Sequence, residues 1–249
     1  MAEAIGHSRG GARVEVVRSD ERFRTRTSWL DSRHSFSFGA HYHPGNTHFG
    51  LLLVCNDDVV APGTGFPTHP HRDMEIVTWV LDGALAHSDS AGHAGSVQPG
   101  LAQRMSAGSG IRHSEVNAHQ DRPVRFVQMW VAPDADGVEP GYEHSDVSER
   151  LADGGLIPVV SGRGHAGAIS IRQRDVVLHA ARLPSGRSAS LPEAPFLHLY
   201  VARGRVSLDV GRLEAGDAAR VRGSAGQWVT AESRPTGAEI LVWEMHAEL

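Results

Sequence analysis

Residues 69–83 read HPHRDMEIVTWVLDG, and residues 190–204 read SLPEAPFLHLYVARG. The two stretches align without gaps at an offset of 121 residues, and each is an apolar run that ends in an aromatic-Val-x-x-Gly turn. A second pair, SVQPGLAQRM at 96–105 and RLEAGDAARV at 212–221, repeats a strand–Gly turn–strand pattern at an offset of 116 residues. Because both offsets are close to half of the 249 residues, they predict two copies of one β module.

The rest of the chain has the same β character. Short runs rich in Val, Ile, Leu and Thr lie between Gly and Pro turns, at 50–56, 75–83, 125–133, 168–180, 196–204 and 239–245. This spacing predicts an all-β sandwich or barrel. A short helix is predicted only at Asp146–Leu151, with Asp146 or Ser148 as its cap. We place the domain boundary in the stretch rich in Gly, Pro and Asp that follows residue 132, which gives domains at 1–133 and 134–249.

Composition excludes several classes of function. The 24 basic and 29 acidic residues give a net charge of −5 without a basic stripe, so we expect no direct nucleic-acid partner. There is no lysine, which excludes Schiff-base chemistry and the P-loop. The single cysteine, Cys55, lies in the apolar run LLLVC and is predicted to be a buried thiol. No signal-peptide core or apolar run of about 20 residues is present, so we expect a soluble, cytoplasmic protein without a membrane partner.

The strongest chemical signal is THPHRDMEIV at 68–77. In one continuous strand His69, His71, Asp73 and Glu75 would project to the same side, because side chains alternate between faces. In GSGIRHSEVN at 108–117, His113 and Glu115 have the same i, i+2 spacing. Strand parity does not choose between Glu75 and Glu115 as a ligand.

Two such pairs on neighbouring strands could converge on one metal ion. The ligands would be three imidazole nitrogens and one or two carboxylate oxygens, which suits iron, manganese, cobalt, nickel, copper or zinc better than calcium or magnesium. The alternative is that these are histidines of surface turns. The in-phase carboxylates and the Gly-rich turn before the second pair favour the metal.

The second copy of the module carries no such ligands. At the matched offsets, the positions of the two pairs and of Glu75 are occupied by Ser190, Pro192, Phe196, Val229 and Ala231. We therefore expect metal in the first module only.

The other histidines receive simpler interpretations. Five of them lie among Gly, Asp and Ser and are predicted to be solvated loop residues: His87, His93, His119, His144 and His165. His198 alternates with Phe196 and Tyr200 and is predicted to be a core or pocket residue.

With these motifs the chain resembles the pirin family of the cupin superfamily, most densely over residues 28–133. The stretches that carry the resemblance are SWLDSRHSFSFGAHYHPGNTHFG, VCNDDVVAPGTGFPTHPHRDMEIVTWVLDGALAHSDSAG and MSAGSGIRHSEVN. Two departures from the general cupin motifs, a seven-residue gap before Gly83 and Ser106 in place of proline, are similar to what pirins have. The match is specific to bacterial pirin-like proteins described as quercetin 2,3-dioxygenases.

The resemblance implies a bicupin fold, in which two jelly-roll-like β-barrel cupin domains lie in one chain and only the N-terminal one holds metal. Carried over residue by residue, the implied ligands are His69, His71, His113 and Glu115. The implied cofactor is one divalent transition metal, for which we expect Fe(II), with nickel, copper, manganese, cobalt and zinc as alternatives. Glu75 is a ligand in ordinary cupins but not in pirins, so we assign Glu75, together with Glu115, to proton handling in catalysis.

The implied activity is the oxygen-dependent opening of the heterocycle of a quercetin-like flavonol, with the flavonol and dioxygen as partners. Phe66, Trp79 and Trp130 either line a cleft for the planar substrate or pack in the core. Two alternatives stay open: a non-enzymatic metal or redox sensor that regulates a protein partner, and a metal-dependent cupin enzyme of another reaction. We expect a monomer.

Overall fold

The computed structural model describes residues 3–7, 11–232 and 237–249. Within them the chain forms 22 strands and one short helix, α1 (Ser148–Ala152). The strands before the helix are β1 (Glu3–His7), β2 (Arg13–Val17), β3 (Phe23–Arg26), β4 (Leu30–His34), β5 (Leu52–Val60), β6 (Gly65–His71), β7 (Glu75–Asp82), β8 (Leu85–Asp89), β9 (Ala94–Val97), β10 (Leu101–Ser106), β11 (Ile111–Asn117), β12 (Val124–Val131) and β13 (Gly141–Asp146). Those after it are β14 (Ile157–Ser161), β15 (Ile169–Ser170), β16 (Val176–Leu183), β17 (Ser188–Ser190), β18 (Ala194–Leu208), β19 (Gly211–Glu214), β20 (Ala218–Ser224), β21 (Trp228–Ala231) and β22 (Ala238–Met245).

The strands form two modules that share one plan. The first module has a seven-stranded sheet, β13-β10-β7-β12-β5-β4-β3, and a four-stranded sheet, β6-β11-β8-β9. The second has an eight-strand path, β1-β2-β20-β18-β22-β16-β14-β15, with β17, β19 and β21 attached. The four central strands occur in matching order, β10-β7-β12-β5 and β20-β18-β22-β16, so the predicted duplication and all-β bicupin architecture are confirmed.

Each half of the chain also contributes a strand to the sheet of the other half. β2 pairs with β20, and β13 pairs with β10. Both added strands cover an edge that would otherwise expose unpaired backbone groups. Division of the chain at 133/134 stays a prediction, and these two strands cross it.

The alternation of β7 determines how the modules pack. Val77, Trp79 and Leu81 face a core that also contains residues of the second module, whereas Ile76 and Val80 face the interior of the first. This explains why all of β7 except its last residue is buried, as is usual for a strand covered on both faces. The second module therefore packs against the face of the seven-stranded sheet that carries Val77, Trp79 and Leu81.

The predicted helix is present as the single turn α1. The Asp146 carboxylate accepts a hydrogen bond from the Ser148 N–H at 2.8 Å, although the capping position itself is Val147. Within the described residues, no helix is long and apolar enough to cross a membrane.

One local prediction is wrong. Residues 69–75 do not form one strand, because β6 ends at His71 and β7 begins at Glu75. Between them Asp73 has a φ of +47°, in the left-handed region that Asp tolerates better than most residues. Its backbone N–H donates to the Gly108 carbonyl, and its carboxylate accepts from the Gly137 N–H, which hold the turn.

Candidate metal centre

The site lies on the four-stranded sheet of the first module. In its central strand β11, His113 pairs with His69 of β6 on one side and with Asp89 of β8 on the other. Glu115 pairs with His87 of β8. Directly paired residues of antiparallel strands project from the same face, so the register alone gathers these side chains.

Three predicted ligands come together as a cluster. The ring centroids of His69, His71 and His113 are separated by 4.5 to 4.9 Å. The Nε2 atoms of His69 and His113 are 3.1 Å apart. Two nitrogens bound about 2.1 Å from one ion, at right angles to each other, lie about 3.0 Å apart. This spacing fits a shared metal ion.

The protonation of two of these rings also fits a metal. Burial, with smaller effects from neighbouring imidazoles, lowers the pKa of His71 to about 4 and that of His113 to about 3. Both rings are therefore neutral near pH 7, which is the form that binds a cation. His69 Nδ1 lies 2.8 Å from the Pro67 carbonyl oxygen, and the N–H donated there leaves Nε2 free to coordinate.

Glu115 lies beside His113 and is 2% exposed. Its Oε2 accepts a hydrogen bond from Gln128 Nε2 at 2.6 Å, and its Oε1 accepts a longer one from Thr78 Oγ1 at 3.4 Å. Burial raises its pKa to about 7, against the opposing effect of these hydrogen bonds. A buried carboxyl of this kind is a suitable fourth ligand or proton acceptor.

Glu75, in contrast, points towards the second module. It shares a face of β7 with Val77 and Trp79, and it accepts hydrogen bonds from Ser106 Oγ at 2.8 Å and the Arg172 N–H at 3.2 Å. Thr78, which contacts Glu115, lies on the opposite face of the strand. The structure thus brings His69, His71 and His113 together, groups Glu115 with His113 and His87, and places Glu75 at the junction of the modules.

Two residues near the site were missed by sequence reasoning. His87, predicted to be solvated, has a fully buried side chain, so that prediction is wrong; Asp89 is equally buried. His87 Nε2 is 3.1 Å from Asp89 Oδ2, and His87 Nδ1 is 3.5 Å from His113 Nδ1. The signal for them was the i, i+2 spacing in AHSDS, which is the spacing of the two ligand pairs. The ring of Tyr142, from β13, stacks on His87 at 4.9 Å.

The remaining histidines agree better with expectation. His144 and His165 are exposed, whereas His93 and His119 are half-buried. His198 is buried and lies near the rings of Phe36 and Phe49, at the core.

The three aromatic candidates have different surroundings. Trp79 is fully buried between the modules and donates to Glu239 Oε1, so it packs in the core. The ring of Trp130 meets that of His71 edge-on at 4.9 Å, and its Nε1 donates to Gln128 Oε1. Phe66 lies 6.4 Å from His69. Beside His71, a cavity of about 490 Å³ is lined in part by Arg72, Ile111 and Arg112.

Two family models match the chain. The model described as Pirin matches residues 16–131, and the model described as Quercetinase C-terminal cupin domain matches residues 158–245. These two ranges contain the four central strands of the first and of the second module, respectively.

Similar proteins and structures agree with these matches. A Mycobacterium tuberculosis protein named "Putative quercetin 2,3-dioxygenase Rv0181c" is 54% identical over 96% of this chain and 97% of its own length. The Escherichia coli protein named Quercetin 2,3-dioxygenase is 39% identical over 79% of this chain and 80% of its own. The crystal structure of the Escherichia coli bacterial pirin YhhW in complex with nickel(II) has a TM-score of 0.86 and 31% identity, covering 94% of this chain and 99% of that one.

Proposed function

The chain belongs to the pirin family, and on that premise we propose that it is a metal-dependent dioxygenase that opens the heterocycle of quercetin-like flavonols. Its relatives carry the name of a quercetin 2,3-dioxygenase, which supports a dioxygenase-like enzyme. The observation that carries the proposal is the cluster of three histidines, one of which, His71, lines an open cavity, while another, His113, lies beside the buried Glu115.

The residues that would hold the metal are His69, His71, His113 and Glu115. A divalent transition metal bound there would supply redox chemistry towards dioxygen and would lower the pKa of a coordinated hydroxyl group. We propose Fe(II) as the native metal. The nickel(II) complex of the related YhhW makes nickel the first alternative to test.

Side chains near the histidine cluster would surround and position the substrate. The Glu115 carboxyl, whose pKa burial raises to about 7, is suited to take the proton of a flavonol hydroxyl near neutral pH. Gln128 and Thr78 fix the position of that carboxyl through its two oxygens. The indole of Trp130 offers an aromatic surface next to His71 for a planar ring.

The cavity beside His71 carries positive charge. Arg72 and Arg112 both line it; the Arg72 side chain is 71% exposed and also pairs with the Asp73 carboxylate at 3.2 Å. Guanidinium groups at the entrance of a cavity attract anions, so they favour an acidic phenol over a neutral compound of the same shape.

The experiment starts with the metal content of protein purified without added metal. The metal-loaded protein is then mixed with quercetin under anaerobic conditions, and oxygen is added. We expect about one metal ion per chain and consumption of flavonol only after oxygen is present. His71→Ala should abolish consumption of both substrates, while His165→Ala, at an exposed position of the second module, should leave it unchanged.

Equal turnover by the His71→Ala variant would contradict the assignment of the site. One metal ion per chain without any turnover by the wild type would contradict the enzyme and favour the regulatory metal or redox sensor. Turnover of other substrates only, in a screen with the same metal, would favour a cupin enzyme of another reaction.

A further inference from the structure

We propose that Asp89 and His87 form a buried hydrogen-bond relay that fixes the tautomer and the orientation of His113, so that both are positioning residues for the metal centre. The proposal rests on the metal site of the proposed function. It adds to that site two side chains that do not touch the metal and that lie behind one of its ligands.

The direction of each hydrogen bond follows from the chemistry of the groups. A carboxylate only accepts hydrogen bonds, so the contact of 3.1 Å between Asp89 Oδ2 and His87 Nε2 places the proton on His87 Nε2. A neutral imidazole then has a bare Nδ1. That atom lies 3.5 Å from His113 Nδ1, which must therefore carry the hydrogen and donate it.

This tautomer leaves the lone pair of His113 on Nε2, the atom that faces His69 Nε2 at 3.1 Å. The relay thus directs the coordinating lone pair of His113 towards the histidine cluster. Metal-bound histidines are commonly oriented in this way by a group that accepts their second N–H.

Asp89 is itself held in a fixed position. Its Oδ1 accepts hydrogen bonds from the backbone N–H groups of Ala91 at 2.9 Å and His93 at 3.0 Å. Its Oδ2 is thereby directed at His87, and the side chains of both residues have no exposed surface. The Tyr142 ring stacks on His87 and restricts its rotation.

His87 could instead be a ligand, since its nitrogen, His113 and Glu115 lie within 4.8 Å of one another. The contacts argue against this. Nε2 of His87 is engaged by Asp89, and its Nδ1 meets Nδ1 of His113 rather than the Nε2 that faces His69. A metal held by His87 would therefore be a second ion, and the stoichiometry of binding tests it.

Asp89→Asn gives the sharpest test because it should exchange donor and acceptor in both hydrogen bonds of the relay. With the amide oxygen on the two backbone N–H groups, the amide nitrogen faces His87 Nε2 and donates to it. His87 then carries its hydrogen on Nδ1 and donates to His113 Nδ1, which forces the hydrogen of His113 onto Nε2. The coordinating atom is then blocked.

The experiment measures Co(II) affinity by chelator competition and records the visible spectrum of the bound Co(II), with no flavonol present. We expect Asp89→Asn and His87→Phe to weaken binding about 10- to 100-fold and to change the spectrum. His87→Gln should retain most of the affinity, because its amide can accept from His113 and donate to Asp89. The matched control is His93→Gln, which alters the other histidine in contact with Asp89 and should change neither affinity nor spectrum.

Three results would overturn the proposal: wild-type affinity in both Asp89→Asn and His87→Phe, equal losses in His87→Gln and His87→Phe, or two ions per chain in the wild type. Circular dichroism of each variant checks its folding, and the nearly isosteric Asp89→Asn keeps the test valid if His87→Phe does not fold. If the wild type binds metal but does not turn over flavonol, the proposed activity fails while the relay is still measured. If the wild type binds no metal, both fail.

Discussion

Asp58→Asn should stabilise the protein at neutral pH, although it replaces a native side chain in β5 by one of the same shape. Asp58 is 2% exposed, and burial raises the pKa of its carboxyl to about 7, even though a hydrogen bond from Ser32 acts in the opposite direction. The ordinary value is 3.8. Because one pKa unit corresponds to about 1.4 kcal/mol, ionising this carboxyl inside the fold costs up to about 4 kcal/mol.

The sign of the pH dependence follows from the raised pKa. Between about pH 4 and pH 7 the folded protein keeps a proton on Asp58 that the unfolded chain has lost, so stability falls as the pH rises through this window. The amide that Asp58→Asn introduces cannot ionise. The difference in the free energy of unfolding between variant and wild type should therefore be near zero at pH 4 and grow to about 2–4 kcal/mol at pH 8.

The assay is urea unfolding of metal-free protein at several pH values, so that release of metal does not contribute. The low pKa values of His71 and His113 also make stability depend on pH, but they contribute equally to both proteins and cancel in the difference. The urea midpoint should shift while the slope of the transition stays the same.

The neighbouring residue provides a control of opposite sign. Asp57 is also buried, but Arg125 donates to it through two nitrogens at 2.9 and 2.7 Å. Although burial raises the pKa of Asp57, the hydrogen bonds from Arg125 and Tyr200 and the charges of Arg125 and Arg22 together outweigh it and hold the pKa below 3.8. The ionised Asp57 carboxylate therefore stabilises the fold at pH values above the pKa of this carboxyl in the unfolded chain, and this contribution is lost as the pH falls. Asp57→Asn should accordingly lower the free energy of unfolding most at pH 8. An Asp58→Asn variant that is less stable than the wild type at pH 8, or equally stable at all pH values, would refute the reasoning.

Two further substitutions test how the fold supports the site. Trp79→Phe removes the hydrogen bond of 2.8 Å to Glu239 across the modules and should cost about 1–3 kcal/mol in urea unfolding, while Trp228→Phe, at a position 56% exposed, should change little. If Trp79→Phe lowers the free energy of unfolding by less than about 0.5 kcal/mol, the hydrogen bond to Glu239 does not couple the modules. Gly65→Ala places a Cβ against the Glu115 carbonyl and the Val116 backbone, so β6 must move away from β11 and metal affinity should fall at least tenfold in chelator competition. Gly155→Ala has open space around its Cβ and serves as the control; equal affinity in both variants would show that the spacing of β6 and β11 does not matter for the ligands.

The fold was predictable because its signals are local and repeated. The apolar runs at 75–83 and 239–245 became β7 and β22, and the offset of 121 residues matched β7 to β18. Three ligand candidates were also predictable, since the i, i+2 spacing in a strand fixes a common face. The exchange of β2 and β13 between the sheets was not predictable, because strand pairing at a sheet edge depends on packing far away in sequence.

The roles of Glu75, Glu115 and His87 could not be predicted from the sequence for a related reason. One residue in a left-handed conformation, Asp73, separates β6 from β7, and the chain enters β7 with Glu75 facing the second module instead of the histidines. The alternation of apolar and polar residues in the sequence does not indicate such a turn. His87 was assigned to a loop from the polarity of its neighbours, whereas it is buried and its ring stacks on that of Tyr142, 55 positions further along the chain.

The two modules share the framework of their main sheets. Arg104 of β10 pairs with Glu143 of β13 at 2.9 Å, and at the offset of 116 residues Arg220 of β20 lies 3.6 Å from Glu15 of β2. The same ion pair thus joins the added edge strand in both modules, although the first Glu follows its Arg in sequence and the second precedes it. The proposed metal ligands have no counterpart at the matched positions of the second module. They lie on the four-stranded sheet, which is separate from the sheet that packs between the modules. The second module can therefore lack these residues and still provide the surface against which the first module packs.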